Sequence, residues 1–362
     1  MAQRPSPVRG MRDVLPDAAE RRLWLESAIH QVFARFGYRP IETPALEDLR
    51  FLESGQGGDN EKLIFKTLRR GLDLAQVREV GELADAGLRF DLTVPLARFY
   101  ATNAPESPAP FRAVQIGAVW RAERPQRGRW RQFTQCDIDI LGEPSLLAEV
   151  ELLTAGGQAL AAVGLEEFTI RLNHRGLLTA LLGVCGFAAQ ASPQVLIVVD
   201  KLDKIGAEGV ERELREAGHP EQAVGALAQV LAKADAATTP DELARLLPSG
   251  IDERLLEELR TITDAVALPV GAPKARVVLD VSLVRGMGYY TGPIFEVAAP
   301  GLGSSIAGGG RYDEMIGRIG GQPAACGFSI GFERLAEVLT PAAADQSGRV
   351  ALLWREDQDW PR

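Results

Sequence analysis

A chain of 362 residues, 46% hydrophobic and 25% charged, has the make-up of an ordinary globular protein and suits one large domain with a smaller module. Its 49 acidic against 40 basic side chains argue against nonspecific nucleic-acid binding, and no run approaches the ~20 apolar residues of a membrane span. Cys136, Cys185 and Cys326 are scattered, and the three histidines lack any H-E-x-x-H spacing, so a disulfide framework and a bound zinc or iron site are not expected.

The opening MAQRPSPVRGMRDVLP has no apolar signal core, and with the cysteine usage this fits a reducing cytoplasm. Leu25, Ile29, Val32 and Phe36 predict a helix over about 18–36, with Asp17 and Glu20 as a capping box and Gly37 as its stop. YRPIETPALE at 38–47 reads as extended, and LRFDLTV at 88–94 as a strand closed by Pro95. QIGAVWRAE, RPQRGR and WRQFTQCDIDIL then read as strand, loop and strand. In the second strand the period of two puts Phe133, Gln135, Asp137 and Asp139 on one face, with Arg129 and Arg131 pointing the same way.

After Pro144 a long helix carries Leu146, Val150, Leu153 and Leu160 on one stripe. QVLIVVD at 194–200 is apolar enough for a buried strand or the end of a helix. From about 201 to 265 the chain is helical, with turns at Gly218, Pro240 and Pro248. Strands return at ARVVLDVSLVRG and YYTGPIFEVAAP. Gly308, Gly309 and Gly310 match neither a P-loop nor a dinucleotide fingerprint, and read as a turn or as a close approach of backbone to a ligand. ACGFSIGFERLAEVL reads as a strand running into a helix, and RVALLW as a final strand.

Arg121, Arg129, Arg285 and Arg334 fall in or beside predicted strands and strand-to-helix junctions. A guanidinium pairs its fixed donor fork with phosphate or carboxylate oxygens and stays charged. Several converging on one pocket would suit a polyphosphate undergoing in-line displacement, with Mg²⁺ sharing the charge. Singly, each is better explained by a surface or structural ion pair. The set, with Glu123, Gln135, Asp139 and several tyrosines, favours a site.

RAERPQRGRWRQFTQCDIDILG resembles motif 2 of the class II aminoacyl-tRNA synthetases in its histidine-specific form. LVRGMGYYTGPIFE and AGGGRYD resemble the two segments peculiar to histidyl-tRNA synthetases, GFSIGFERL resembles motif 3, and GYRPIETPALE with Pro44 resembles motif 1. GMRDVLP and LRFDLTVPLARFYA are similar to the same family, and the likeness runs in order over about residues 8–340.

The resemblance implies an α+β fold: a class II synthetase-like antiparallel sheet flanked by helices, with a small helical insertion domain. The implied division is 1–172 for the first part of the catalytic core, 173–272 for the insertion, 273–340 for the second part, and 341–362 for the start of a truncated or absent anticodon-binding domain. It also implies a homodimer through motif 1, no membrane, and ATP with Mg²⁺ as cofactors. The implied reaction joins L-histidine to ATP as histidyl-adenylate, then passes the acyl group to tRNA(His).

Carried over by position, Arg121 would grip the α-phosphate, with Arg129 also on ATP, Glu123 near the adenine and Phe133 stacked on it. Arg334 would meet the γ-phosphate, and Arg285 would bridge the histidine carboxylate and the α-phosphate. Asp91, Thr93 and Gln135 match positions holding the amino-acid head, and Asp139, Tyr289, Tyr290 and Tyr312 match the imidazole pocket. Arg124, Gln126 and Arg127 would face the tRNA acceptor end.

Two departures stand out. Met287 and Gly288 replace the family's usual Leu-Asp, and the chain ends at Arg362, where the family continues into an anticodon-binding domain. The short end admits a regulatory paralogue of ATP phosphoribosyltransferase in histidine biosynthesis, or a paralogue adenylating an amino acid for an acceptor other than tRNA. Retention of Arg121, Arg285 and Arg334 favours the synthetase.

Overall fold

Leu25, Ile29, Val32 and Phe33 are buried at the spacing of one helical face, which fastens α1 (Pro16–Arg35) to the core. The computed structural model describes residues 5–54, 60–72, 77–124, 130–233, 239–285, 290–302, 305–319 and 324–339. Pro16 at the first helical position starts α1, and Leu15 precedes it with no side-chain cap, so the expected Asp17–Glu20 capping box is not formed. Gly37 takes a φ of 81°, the left-handed turn that ends the helix.

The extended segment after α1 is reduced to β1 (Arg39–Pro40) and β2 (Leu46–Asp48), followed by the short helix α2 (Leu49–Ser54). With β3 (Phe65–Leu68) and β4 (Ala84–Leu88), β2 forms a small antiparallel sheet in the order β2-β4-β3. The strand expected over 88–94 is not there: β4 stops at Leu88 and helix α3 (Thr93–Asn103) begins five residues later. Pro95 lies in its first turn, where no N–H is needed, and Asp91 accepts a hydrogen bond from the Val94 N–H at 3.1 Å.

The hairpin of β5 (Phe111–Trp120) and β6 (Gln132–Leu141) forms as expected, and α4 (Leu147–Ala162) follows it. Then come β7 (Thr169–His174) and six helices: α5 (Arg175–Cys185), α6 (Ser192–Val199), α7 (Leu202–Glu216), α8 (Glu221–Leu231), α9 (Pro240–Leu246) and α10 (Glu253–Ala265). The run QVLIVVD therefore belongs to a helix, and Ser192, Val195, Leu196 and Val199 are buried at helical spacing. Helices α7–α10 fill the stretch expected to be helical. After them, β8 (Arg276–Leu279), β9 (Pro293–Ala298), β10 (Ala307–Arg311), α11 (Asp313–Ile319), β11 (Ala325–Ile330) and α12 (Phe332–Val338) complete the described chain. RVALLW lies outside the described residues.

The main sheet has eight strands in the order β1-β5-β6-β11-β10-β9-β7-β8. Its inner pairings are antiparallel, and only β1 on β5 and β8 on β7 run parallel, at the two edges. One face is apolar: Cys136, Ile138 and Ile140 of β6 join Leu25 and Ile29 of α1 and Leu152 of α4 in a single buried cluster. By the alternation of a strand, Asp137 and Asp139 lie on the other face. No described helix is long and apolar enough to cross a membrane.

Gly308–Gly310 form neither a turn nor a loop but the centre of β10, buried between β9 and β11. The strand ends on Arg311, which reaches α4 in a two-pronged pair: Nε to Glu149 Oε1 at 2.6 Å and Nη2 to Oε2 at 2.8 Å. Glu149 is fully buried, so its charge depends on this partner. Arg311→Met should lower unfolding free energy by about 3–5 kcal/mol, measured by urea denaturation, because it strands that carboxylate.

Candidate active site

The register of the antiparallel strands sets residues directly opposite one another, and such residues point to the same face. One row crosses six strands: Gln115 of β5, Asp137 of β6, Ser329 of β11, Gly308 of β10, Glu296 of β9 and Arg171 of β7. The next row on that face holds Asp139, Gly327 and Gly310. In the other direction come Gln135, opposite Gly117, and Phe133, opposite Val119. The expected sharing of a face by Phe133, Gln135, Asp137 and Asp139 is thus realised. The face opens into a cavity of about 680 Å³, whose lining includes Arg121, Glu123, Phe133, Gln135, Arg285 and Arg334.

Each of these arginines has at least one fixed partner. Arg121 donates through Nε to the Phe90 carbonyl at 3.1 Å and lies 5.0 Å over the Phe133 ring. Arg285 donates through Nη1 to Glu296 Oε2 at 2.7 Å and to Ser305 Oγ at 3.1 Å. Arg334, exposed at the start of α12, donates to the Ser305 carbonyl. Arg131, by contrast, turns its Nε to the Glu123 carbonyl at 2.9 Å and does not line the cavity. Arg124 is exposed and outside the lining. Gln126, Arg127, Arg129, Tyr289, Met287 and Gly288 lie outside the described residues.

A narrow recess continues from the cavity between Thr93, Asp137, Asp139, Tyr290 and Tyr312. The Tyr312 hydroxyl donates to Asp139 Oδ1, the Ser329 hydroxyl to Asp137 Oδ1, and Gln135 Nε2 to Asp137 Oδ2 at 3.3 Å. Gln135 Oε1 is buried with no hydrogen-bond partner among the described residues, an acceptor facing a polar site. Gly327 is required here because a Cβ would stand 2.1 Å from Asp139 Oδ1.

Two carboxyls line this recess, and Asp91, buried outside its lining, is close enough to act on both. Burial raises Asp91 to about 6, against the pull of the Val94 N–H and Arg121. Burial raises Asp137 to about 7, aided by the charge of Asp91 and opposed by the Ser329 hydroxyl. Asp139 is pushed well above the usual carboxylate range by burial and then by Asp137. Tyr290 is raised to about 12, chiefly by burial. Such a cluster disfavours its own ionisation and offers a cationic or N–H-bearing ligand the missing partner.

Sequence reasoning overlooked several lining groups. Glu333 accepts from Arg22 Nη1 at 2.7 Å, from Arg12 Nη2 at 2.7 Å and from the Thr134 N–H at 2.8 Å. Burial would raise its pKa, but these donors outweigh it and hold it below the usual value. Its position beside Arg334 was the available signal. Ser329, and Glu296 behind the lining, stood in quoted motifs, but their partners Asp137 and Arg285 come from other elements and nothing in the sequence marked the pairing.

A family described as histidyl-tRNA synthetase matches residues 10–335. A histidine–tRNA ligase of Leifsonia xyli subsp. xyli (strain CTCB07) is 53% identical over 354 residues, 94% of this chain and 81% of that protein. The crystal structure of histidyl-tRNA synthetase from Nostoc sp. PCC 7120 superposes with a TM-score of 0.75 at 29% identity, covering 92% of this chain and 74% of that one. A Bacillus halodurans C protein described as an ATP phosphoribosyltransferase regulatory subunit/histidyl-tRNA synthetase gives a TM-score of 0.76, covering 94% and 84% of the two chains. Its identity is 24%, so that likeness concerns the fold alone.

The sign of the acid cluster's effect on stability follows from linkage. Asp137 sits at about 7 when folded against about 3.9 unfolded, so the folded state binds its proton more tightly. Stability is then lost as pH rises from about 4 through about 7. Asp137→Asn should therefore be the more stable protein at about pH 8, by up to about 4 kcal/mol, with the gap shrinking toward about pH 4. Urea denaturation at both pH values checks this, and a variant less stable at the higher pH would refute it.

Proposed function

We propose the following route of catalysis for this chain, which belongs to the histidyl-tRNA synthetase family. The protein is an aminoacyl-tRNA ligase that activates histidine with ATP and charges tRNA. A regulatory or non-tRNA role is not favoured, because the relative at 53% identity is a histidine–tRNA ligase and the likeness to a regulatory subunit stands at 24%.

Histidine enters with its imidazole between Asp139, Tyr290 and Tyr312, where the buried carboxyl has no cationic partner among the described residues and a ring N–H supplies the donor. The family resemblance gives Tyr289 a part in binding the same ring. A site built to bond both ring nitrogens rejects side chains that leave those groups unpaired. The amino-acid head meets Asp91, Thr93 and Gln135, whose free buried Oε1 is an acceptor suited to an ammonium. The carboxylate then faces Arg285.

ATP lies in the larger cavity, with its α-phosphate on Arg121, its γ-phosphate on Arg334, and its adenine by Glu123 and against Phe133, with Arg129 assisting. The histidine carboxylate is ionised at neutral pH, so its attack on the α-phosphorus needs no general base. One carboxylate oxygen forms the new P–O bond, pyrophosphate departs, and Arg121 and Arg285 offset the charge gathered on the α-phosphate. Glu123 and Glu333 are the cavity's carboxylates, a donor set that fits Mg²⁺ carried mainly by phosphate oxygens and water. When bound, that ion neutralises phosphate charge. Arg124, Gln126 and Arg127 then meet the tRNA(His) acceptor end.

We assign the helical stretch 173–272 to an insertion between the two parts of the catalytic core, 1–172 and 273–340. The protein works in the cytoplasm as a homodimer through the segment around Pro44. Half-exposed Leu46 supports that surface, and Arg89 Nη1, donating to the Thr43 carbonyl at 2.6 Å, links it to the site.

The observation that carries this reading is the convergence of Arg121, Arg285 and Arg334 on one cavity that opens onto the buried acid recess. Pyrophosphate exchange into ATP, without tRNA, should depend on histidine and on no other amino acid. Arg285→Ala should lower kcat by roughly a hundredfold to a thousandfold without unfolding the protein. Exchange supported by a different amino acid, or persisting in that variant, would overturn the assignment.

A further inference from the structure

Arg285 follows β8 outside any described helix or strand, and among the described residues the partners of its guanidinium are Glu296 and Ser305. Its position comes from across the sheet. Opposite each other in register, Glu296 and Gly308 make a side-chain-free step beside a carboxylate. The guanidinium lies on that step: a Cβ at Gly308 would sit 2.4 Å from Nη1. Nη1 then bonds Glu296 Oε2 at 2.7 Å.

A carboxylate so close should also weaken what Arg285 has to do, by neutralising it. Arg171, directly opposite Glu296 in the register with β7, meets the other carboxylate oxygen: Nη1 to Oε1 at 3.3 Å. Arg171 is fixed in turn by Asp280 through Nε and by Asp203 of α7 at 3.5 Å. One carboxylate is thus shared by two guanidiniums, one from the site and one from outside it.

We propose that Glu296 and Arg171 act together as positioning residues for Arg285, Glu296 anchoring its guanidinium and Arg171 drawing off enough of the Glu296 charge to leave Arg285 electropositive toward the cavity. The pair rests on the role given to Arg285 above. It lines neither the cavity nor the recess, so it acts on the transition state through the placement and effective charge of Arg285.

Steady-state pyrophosphate exchange on the full chain tests this with Glu296→Gln, Arg171→Lys, Arg171→Met and the double variant Arg171→Met/Glu296→Gln. Glu296→Gln keeps the shape but not the charge, and should lower kcat about tenfold to a hundredfold while the KM for ATP moves less than about threefold. Arg171→Met should lower kcat about tenfold by releasing Glu296 onto Arg285, and Arg171→Lys should recover part of that loss. The double variant should be no slower than Glu296→Gln, since without the carboxylate Arg171 has nothing to offset. Losses that multiply in the double variant, or kcat within about twofold of the parent in Glu296→Gln, overturn the proposal. If Arg171→Met fails to fold, Glu296→Gln and Arg171→Lys still decide. Arg285→Ala separates the two ideas: active, it removes the role of Arg285 itself; inactive beside a normal Glu296→Gln, it removes only the positioning pair.

Discussion

Register across the antiparallel sheet is the constraint on which everything else here depends. Gln115, Asp137, Ser329, Gly308, Glu296 and Arg171 come from six strands and from segments up to 214 residues apart, since the row reaches from position 115 to position 329. Sliding any one strand by a single residue would turn its member toward α1 and α4 and expose an apolar neighbour to the cavity. The apolar face therefore specifies the polar one. Cys136, Ile138 and Ile140, locked into the core, are what aim Asp137 and Asp139.

That constraint leaves room at two places where side chains are missing. Gly308 makes the flat step for Arg285, and Gly327 gives the Asp139 carboxylate its space. Both lie in regular strand, where glycine is otherwise a weak choice. Their use is steric: the backbone itself forms the floor of the site, so a ligand or guanidinium can approach the sheet closely.

How much of this could be read from the sequence depends on the range of the interaction concerned. The face shared by Phe133, Gln135, Asp137 and Asp139 was legible, because alternation along one strand is local. LRFDLTV also alternates, yet it leads into α3, since Asp91 and Pro95 supply a helix start that outweighs the pattern. QVLIVVD left strand and helix end open because a short apolar run fits either, and burial at i, i+3, i+4 and i+7 decides for the helix. The glycine run looked like a turn because glycine usually marks one; only pairing with β9 and β11 reveals a strand. Residues brought in by the family resemblance, such as Arg285 and Tyr312, stood in quoted motifs. Glu296 stood in one too, but its meaning needs Arg171, 125 positions away.

Electrostatics explain why such a site survives folding at all. Asp91, Asp137 and Asp139 are all buried, Asp91 raises the pKa of Asp137 and both raise that of Asp139, so the recess carries less negative charge than three carboxylates suggest. The arginines are spread differently: each is tethered by a carbonyl, a hydroxyl or a shared carboxylate on one side. Tethering by neutral acceptors fixes geometry without cancelling charge. Glu296 is the exception, and its division between Arg285 and Arg171 brings it closer to the behaviour of a neutral anchor. An anionic ligand on one side and a cationic one on the other then each find the unmet half of a polar cluster that is already in place.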